Sequence, residues 1–429
     1  MKKFVFGLLL FLATWWIFYG SPIAYLSDSA YSMLMDEAIL HHGTPNMIAY
    51  RVPRGSGNGF RDGYPWQLAM LKGRLLYMWP WGAPLLSLPA VAVLNATGIE
   101  VAPKHVYDAA NEVRMQKIVS TFLCAIGVWL LYEIAIQFIP VGWSLAIAIG
   151  AGFGTQIWSS LSRSLWGQTW YVLIISLAIL LLVRRNIRPV LLATLLAWAA
   201  FVRPQALPTI IIVGVYVLVK CDSNWSRACY VATGVLWSLT LAFMMLFFTD
   251  HLLASAYRST ALFAFRHGFL QRLDGILFSP SRGLLIFMPI VLIPFYLTVR
   301  YWHVLPKRDL AVLALAAITP TIAMLASYVI WWIGYNYGPR DLADIVPWLV
   351  LLAILGIRAF LDDPHLSMQE SSAVISIAVV LLTISILMNA PGALSASATK
   401  WNEVPPLEYH PERLWDWEHP QWLAWAQSR

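Results

Sequence analysis

Apolar stretches long enough, or nearly long enough, to cross a bilayer recur along the whole chain, and they restrict the fold severely. A membrane-spanning helix needs roughly 17–25 mainly apolar residues, and in lipid every backbone polar group must be bonded within the segment. Eleven stretches qualify as spans: residues 4–20, 117–138, 142–160, 169–183, 189–202, 205–219, 228–249, 284–299, 310–333, 343–360 and 371–391. Charged residues make up only 12% of the 429 positions, about half the share found in soluble domains. The expected fold is therefore an all-α polytopic membrane protein of about 11 transmembrane helices. The segment 1–392 forms the membrane domain and 393–429 a short tail. No small-x-small cleavage site follows residues 4–20, so that stretch reads as a signal-anchor. The net charge of +7 comes from basic residues scattered at span ends, which argues against nucleic acid as a partner. Cys124, Cys221 and Cys229 have no metal-binding or redox spacing, and no disulfide framework is implied.

Loop charge sets the topology. Residues 84–98 are apolar but short, with Pro89 inside, which suits a helix dipping into the membrane. Treated so, Arg184, Arg185, Arg188, Lys220, Lys307 and Arg308 fall on one side with Lys2, Lys3 and Arg227; counted as a span, residues 84–98 would invert that grouping. The positive-inside tendency makes that side cytoplasmic. The N-terminus is then cytoplasmic and the C-terminus extracytoplasmic. The outer face carries a large first loop (21–116), turns at 162–168 and near Arg203, the loop 250–283, the turn 334–344 and the tail. In those outer segments arginine outnumbers lysine, and its planar fork suits bidentate phosphate recognition. Snorkelling to headgroups or pairing with acids is the structural alternative.

Asp28 lies eight residues beyond the first apolar stretch, at the opening of the large loop. Residues 26–43 read as an amphipathic helix on the membrane surface. Ser27 or Asp28 is its N-cap, and Tyr31, Leu34, Met35, Ala38 and Ile39 repeat at helical spacing. A carboxylate here either caps the helix or accepts a proton. Asp36-Glu37 is a rival pair, and Asp36 sits about 80° from Asp28 around the helix axis. Lys72 and Arg74 precede Trp79-Pro80-Trp81-Gly82, a setting that also fits an interfacial aromatic and basic belt. Arg163 lies in Ser162-Arg163-Ser164-Leu165-Trp166, and Arg203 precedes Pro204. Arg282 falls in Ser279-Pro280-Ser281-Arg282-Gly283-Leu284. Arg340 and Asp341 follow Trp331-Trp332-Ile333-Gly334-Tyr335-Asn336-Tyr337-Gly338-Pro339, where they either pair with each other or face a ligand. The tail carries Leu414-Trp415-Asp416-Trp417 and Pro420-Gln421. The glycine-rich stretch 55–59 has no strand or helix start after it to make a phosphate cradle, and is expected to be a loop over an acceptor groove.

Taken together, these stretches resemble the GT-C membrane glycosyltransferases, of the protein O-mannosyltransferase and aminoarabinose transferase type. The patterns SPxRGL and WWxGxxxGPR are similar to those of an uncharacterised bacterial branch. The resemblance implies a GT-C-like bundle with juxtamembrane helices in the first loop. It implies inverting transfer of a monosaccharide from a polyprenyl-phosphate carrier to a glycan, lipid or protein acceptor, at the extracytoplasmic face of a bacterial-type cytoplasmic membrane. Asp28 is then the general base, with Asp36 as alternative. Lys72, Arg74, Arg163, Arg282 and Arg340 contact donor phosphate or sugar, and Tyr31, Arg203 and Asp341 support them. The chain departs from the family in having Ser29 where a glutamate usually follows the aspartate, and Trp79 where a basic residue would stand beside Pro80. Members with and without a divalent cation exist, so the resemblance leaves metal use open. Two other classes compete. A polymerase or ligase of polyprenyl-diphosphate glycans would also want outer arginines. A transporter would place ionisable groups at mid-membrane; here nearly all charges fall at span ends, with Glu133 the main exception, close to the cytoplasmic end.

Overall fold

A computed structural model describes residues 2–57, 59–184, 188–254, 268–332 and 334–427. Asn58 of the glycine-rich stretch, Arg185, Ile333 at the end of an expected span, residues 255–267 of the 250–283 loop and the last two residues of the tail lie outside that description.

The apolar stretches are mainly helical, although the expected span 310–333 is helical only as far as Ser327. In order, the α-helices are α1 (Lys2–Gly20), α2 (Ser32–His42), α3 (Gly82–Ala96), α4 (Ala109–Ala135), α5 (Val141–Phe153), α6 (Gly167–Val183), α7 (Pro189–Val202), α8 (Leu207–Lys220), α9 (Asn224–Thr249), α10 (Phe269–Phe278), α11 (Leu284–Phe287), α12 (Leu292–Arg300), α13 (Arg308–Ser327), α14 (Val346–Leu361), α15 (Met368–Leu394), and in the tail α16 (Ala396–Lys400) and α17 (Ala424–Gln427). Among the described residues, six helical segments are long and apolar enough to cross a membrane: α1, α4, α9, α13, the segment Arg340–Leu361 that includes α14, and α15. The remaining expected spans form shorter helices. The stretch 142–160 divides into α5 and a π-helical turn Ile157–Leu161. Residues 284–299 break at Pro289, whose missing N–H cannot continue the ladder, into α11, a 3₁₀ turn and α12.

The two least buried of the long helices make the case for lipid. Only 11% of the apolar window of α9 and 6% of that of α15 is buried, leaving Leu239, Phe243, Val379 and Leu387 exposed. Apolar surface costs about 25 cal/mol per Å² in water. Such faces are stable only against an apolar solvent or partner. At the centre, α4 packs against α1, α5 and α6. A Cβ at Gly7 would lie 3.0 Å from the Trp129 indole nitrogen, so the glycine lets α1 approach α4 closely there.

α3 does not carry the chain from one end of the bundle to the other. Ser29, before it, places its Oγ 2.6 Å from Ser164 Oγ, which follows the antiparallel pair α4–α5. Had α3 crossed, those two serines would sit at opposite ends. Its first residue abuts α7: a Cβ at Gly82 would lie 2.6 Å from the Val202 backbone nitrogen, next to Arg203.

The first loop differs from expectation in two ways. It contains two antiparallel hairpins, Phe60–Arg61 with Tyr64–Pro65 (β1, β2) and Leu68–Leu71 with Arg74–Tyr77 (β3, β4). Lys72 and Gly73 form the two-residue turn of the second, both at positive φ (50° and 69°), the geometry of a tight hairpin. The expected helix over 26–43 is also shorter and deeper. It begins at Ser32 and is buried from there through Ala38 rather than lying on a surface. Neither Ser27 nor Asp28 caps it. Tyr31 occupies the N-cap with no side-chain cap bond, and Glu112 of α4 accepts from the Tyr31 and Met33 amides at 2.8 and 3.1 Å. A carboxylate from another helix satisfies these orphan donors and complements the helix dipole.

Candidate functional site

A cavity of about 960 Å³ opens at the end of the bundle where α1 and α7 finish and α4 and α6 begin. Its walls come from the first loop, the 165–168 turn, the α7–α8 junction, the 328–340 segment and the tail at 403–409. Aromatic rings are prominent in these walls: Trp66, Tyr77, Trp79, Trp166, Trp332 and Tyr335 among them. Such faces suit the C–H surface of a sugar ring while their polar edges accept or donate hydrogen bonds.

Asp28 lines this cavity. Because Glu112 caps α2, its carboxylate is released from that duty. Its backbone is held firmly: Tyr77 Oη donates to the Asp28 carbonyl at 2.6 Å, and Gln67 Nε2 donates to the Ser27 carbonyl at 3.1 Å. Both donors belong to the β3–β4 region, so the hairpin fixes the position of Asp28. The side chain is 26% exposed and accepts from Arg340 Nη2 at 3.2 Å. Burial pushes its pKa above the ordinary carboxylate value, while the Arg340 guanidinium pulls it back.

Arg340 reaches Asp28 from a turn 312 residues away in sequence. Gly338 needs its left-handed conformation (φ 59°), and a Cβ there would lie 2.9 Å from the Phe287 ring. Pro339 follows, and the arginine is delivered to the cavity wall. Its guanidinium carbon lies 3.8 Å from the centre of the Trp166 ring, a cation–π contact. Besides Asp28, Nη2 lies 3.8 Å from Asp341. The buried Nε–H has no hydrogen-bond partner among the described residues. The side chain is only 4% exposed, so an open donor here is costly unless something accepts from it.

Arg203 anchors the second tier. Its Nε donates to Asp344 Oδ2 at 2.8 Å and its Nη2 pairs with Asp341 Oδ1. Gln168 Nε2 also donates to Asp341 Oδ1, at 2.6 Å. Asp341 thus faces two arginines, and an unbroken chain of charges links Arg203, Asp341, Arg340 and Asp28. Arg203 and Arg340, with Asp28, line the cavity; the two supporting aspartates stand behind them.

The other expected site residues lie elsewhere. Arg163 is fully buried and clamps the end of α1, donating from Nη2 to the Phe18 carbonyl at 2.6 Å and from Nη1 to the Ile23 carbonyl at 3.1 Å. Arg282 is buried against the tail, with Asn402 Oδ1 at 2.7 Å, the Asn336 carbonyl at 3.2 Å and Gln421 Oε1 as acceptors. Lys72 sits at the hairpin tip, paired with Asp250 at 2.5 Å. Arg74 lies over the Phe247 and Phe248 rings at 5.3 and 5.1 Å, so together they latch the hairpin to the end of α9. None of these four lines the cavity. Tyr31 stacks on Tyr107 at 4.4 Å. Asp36 is fully enclosed, with neither oxygen bonded; burial, then Glu112 and Glu37, push its pKa well above the carboxylate range. An enclosed acid that does not line the cavity cannot serve it.

Trp166, Tyr77, Gln168 and Asp344 were not singled out by the sequence as site residues. Trp166 lay inside a quoted motif, but nothing local marks an indole as the platform for an arginine 174 positions later. Among the described residues no three His, Cys, Asp or Glu side chains are grouped as metal ligands. Asp28 and Asp341 face arginines instead, a pairing that does not favour a divalent cation between them. Neither a protein-family model nor a curated protein matches this chain.

Proposed function

We propose that this protein is an integral membrane glycosyltransferase of the GT-C type, moving a monosaccharide with inversion from a polyprenyl-phosphate carrier to an acceptor. One observation carries the reading: a carboxylate and a stacked arginine, Asp28 and Arg340, meet at 3.2 Å on the wall of an aromatic cavity. In this mechanism the acceptor hydroxyl oxygen attacks the anomeric carbon, and its proton passes to Asp28. The bond from that carbon to the phosphate oxygen breaks. The electron pair stays with the departing lipid phosphate, where Arg340 stabilises the developing charge. Trp166 holds the guanidinium plane, and Asp341, kept in place by Arg203 and Gln168, supports it from behind. The aromatic walls bind the sugar. The exposed apolar faces of α9 and α15 support residence in a membrane. By the positive-inside tendency the site faces the extracytoplasmic side of a bacterial-type cytoplasmic membrane.

The test is transfer of radiolabelled sugar from polyprenyl-phosphate donors, in vesicles, by wild type and Asp28→Asn. Asn keeps the size of the side chain and removes the proton acceptor. Turnover should fall about 10²-fold or more. Full activity of Asp28→Asn would overturn the assignment, and no transfer by wild type from any such donor would overturn the function.

A further inference from the structure

The two groups assigned opposite ends of the reaction touch each other. In-line displacement puts the attacking and leaving oxygens on opposite sides of the anomeric carbon. With reacting atoms about 3–3.5 Å apart, these oxygens are separated by roughly 4–5 Å. Asp28 must then reach the attacking oxygen while Arg340 reaches the phosphate. Held 3.2 Å from each other, each gives part of its charge to the other rather than to these two oxygens. Arg340 meanwhile spends Nη2 on Asp28 and keeps a buried Nε–H with no acceptor among the described residues. That open donor belongs to a guanidinium lining the cavity, fixed in plane by Trp166 and backed by Asp341.

We propose that the Asp28–Arg340 ion pair is a resting latch, opened when a phosphate of the lipid-linked donor takes Arg340, which frees the Asp28 carboxylate for the acceptor. The donor phosphate and the carboxylate compete for one cation. Deprotonation of the acceptor therefore waits on occupancy of the donor site, and an acceptor entering alone meets a base already engaged. This inference rests on the glycosyltransferase reading and adds an order of events to it. Asp28 is the partner that can leave, being a quarter exposed while Arg340 is almost wholly enclosed. Ser27 Oγ, 3.4 Å from Asp28 Oδ1, stays within reach of a carboxylate that has turned away.

Competition has a sign that a structural ion pair lacks. If Asp28 occupies the phosphate-binding cation, removing its charge should tighten phosphate binding even as it abolishes turnover. Binding of a short-chain polyprenyl monophosphate is measured by calorimetry on purified wild type, Asp28→Asn and Arg340→Gln in one detergent. Phosphatidylglycerol and inorganic phosphate form parallel arms. Asp28→Asn should bind the polyprenyl phosphate at least about fivefold more tightly than wild type, the lower end of ordinary site-to-site coupling. Arg340→Gln should lose that binding. Glu408→Gln removes another carboxylate from the same cavity and controls for the general field; it should change affinity less than twofold. Equal affinity of wild type and Asp28→Asn would overturn the latch, as would an equal gain in Glu408→Gln. Wild type that binds neither polyprenyl phosphate nor inorganic phosphate would overturn the donor reading itself, a different failure. Asp28→Ser provides a second release variant should Asp28→Asn fail to fold.

Discussion

Arg203 offers a perturbation in which stability and activity should part company. It is the cation for two buried carboxylates, Asp341 and Asp344. At an effective dielectric of about 20, each contact near 3–4 Å is worth roughly 4–6 kcal/mol of Coulomb attraction. Desolvating three charges costs several kcal/mol per ion, which offsets most of that gain. The intact triad is thus close to neutral for stability, whereas a broken one is not. Arg203→Leu strands Asp344 where water does not reach, leaves Asp341 to Arg340 and Gln168, and should destabilise the protein by about 3–5 kcal/mol. Adding Asp341→Asn and Asp344→Asn removes both carboxylate charges and should restore most of the thermal stability, read as monodisperse recovery after heating in detergent. Activity should stay lost in the triple variant, because Arg340 no longer has a charged support behind it. An Arg203→Leu protein as stable as wild type would refute the reasoning. So would a triple variant no more stable than the single one.

Asp36→Asn should leave turnover within a few-fold of wild type, since its side chain does not reach the cavity; loss of transfer there with full activity in Asp28→Asn would move the base to Asp36. The pH profile should also respond to Arg340. Only the deprotonated Asp28 can accept a proton, so activity falls as pH drops through its pKa. Arg340 lowers a pKa that burial raises, so the acid limb of the residual activity of Arg340→Gln should lie at higher pH than that of wild type. An unmoved limb would mean that another group titrates. Gln421 accepts from Arg282 and from the Gly338 amide at 3.0 Å and donates to the Asn336 and Ala398 carbonyls at 2.9 Å each. Gln421→Ala should cost about 2–4 kcal/mol through the unsatisfied groups it leaves in the turn before Arg340, seen as lower thermal stability and weaker donor binding. For topology, a cysteine at Tyr335 should react with an impermeant reagent added outside intact cells, while one at Asp222 should not. Ser281 is too buried for this purpose.

What the sequence determined by itself follows from properties that each residue carries locally. Runs of apolar side chains can only be helices in lipid, and their short interruptions place the turns. Pro89 and the length of residues 84–98 already argue for a helix that does not span, and the contact between Ser29 and Ser164 agrees. Asp28 and Arg340 were singled out from their positions relative to the apolar stretches. What packing decided was the partner of each charge. Arg163, Arg282 and Arg340 read alike in sequence, each a cation at a span end. Only in three dimensions do two of them prove occupied with backbone carbonyls and amides, while the third meets Asp28 in a cavity. The cap of α2 shows the same division. Ser27 and Asp28 have the right chemistry and nearly the right place, yet Glu112 from another helix takes the role and leaves Asp28 open. Chemistry is written residue by residue, but whether a buried charge is satisfied depends on groups brought within about 3–4 Å of it by the folded chain.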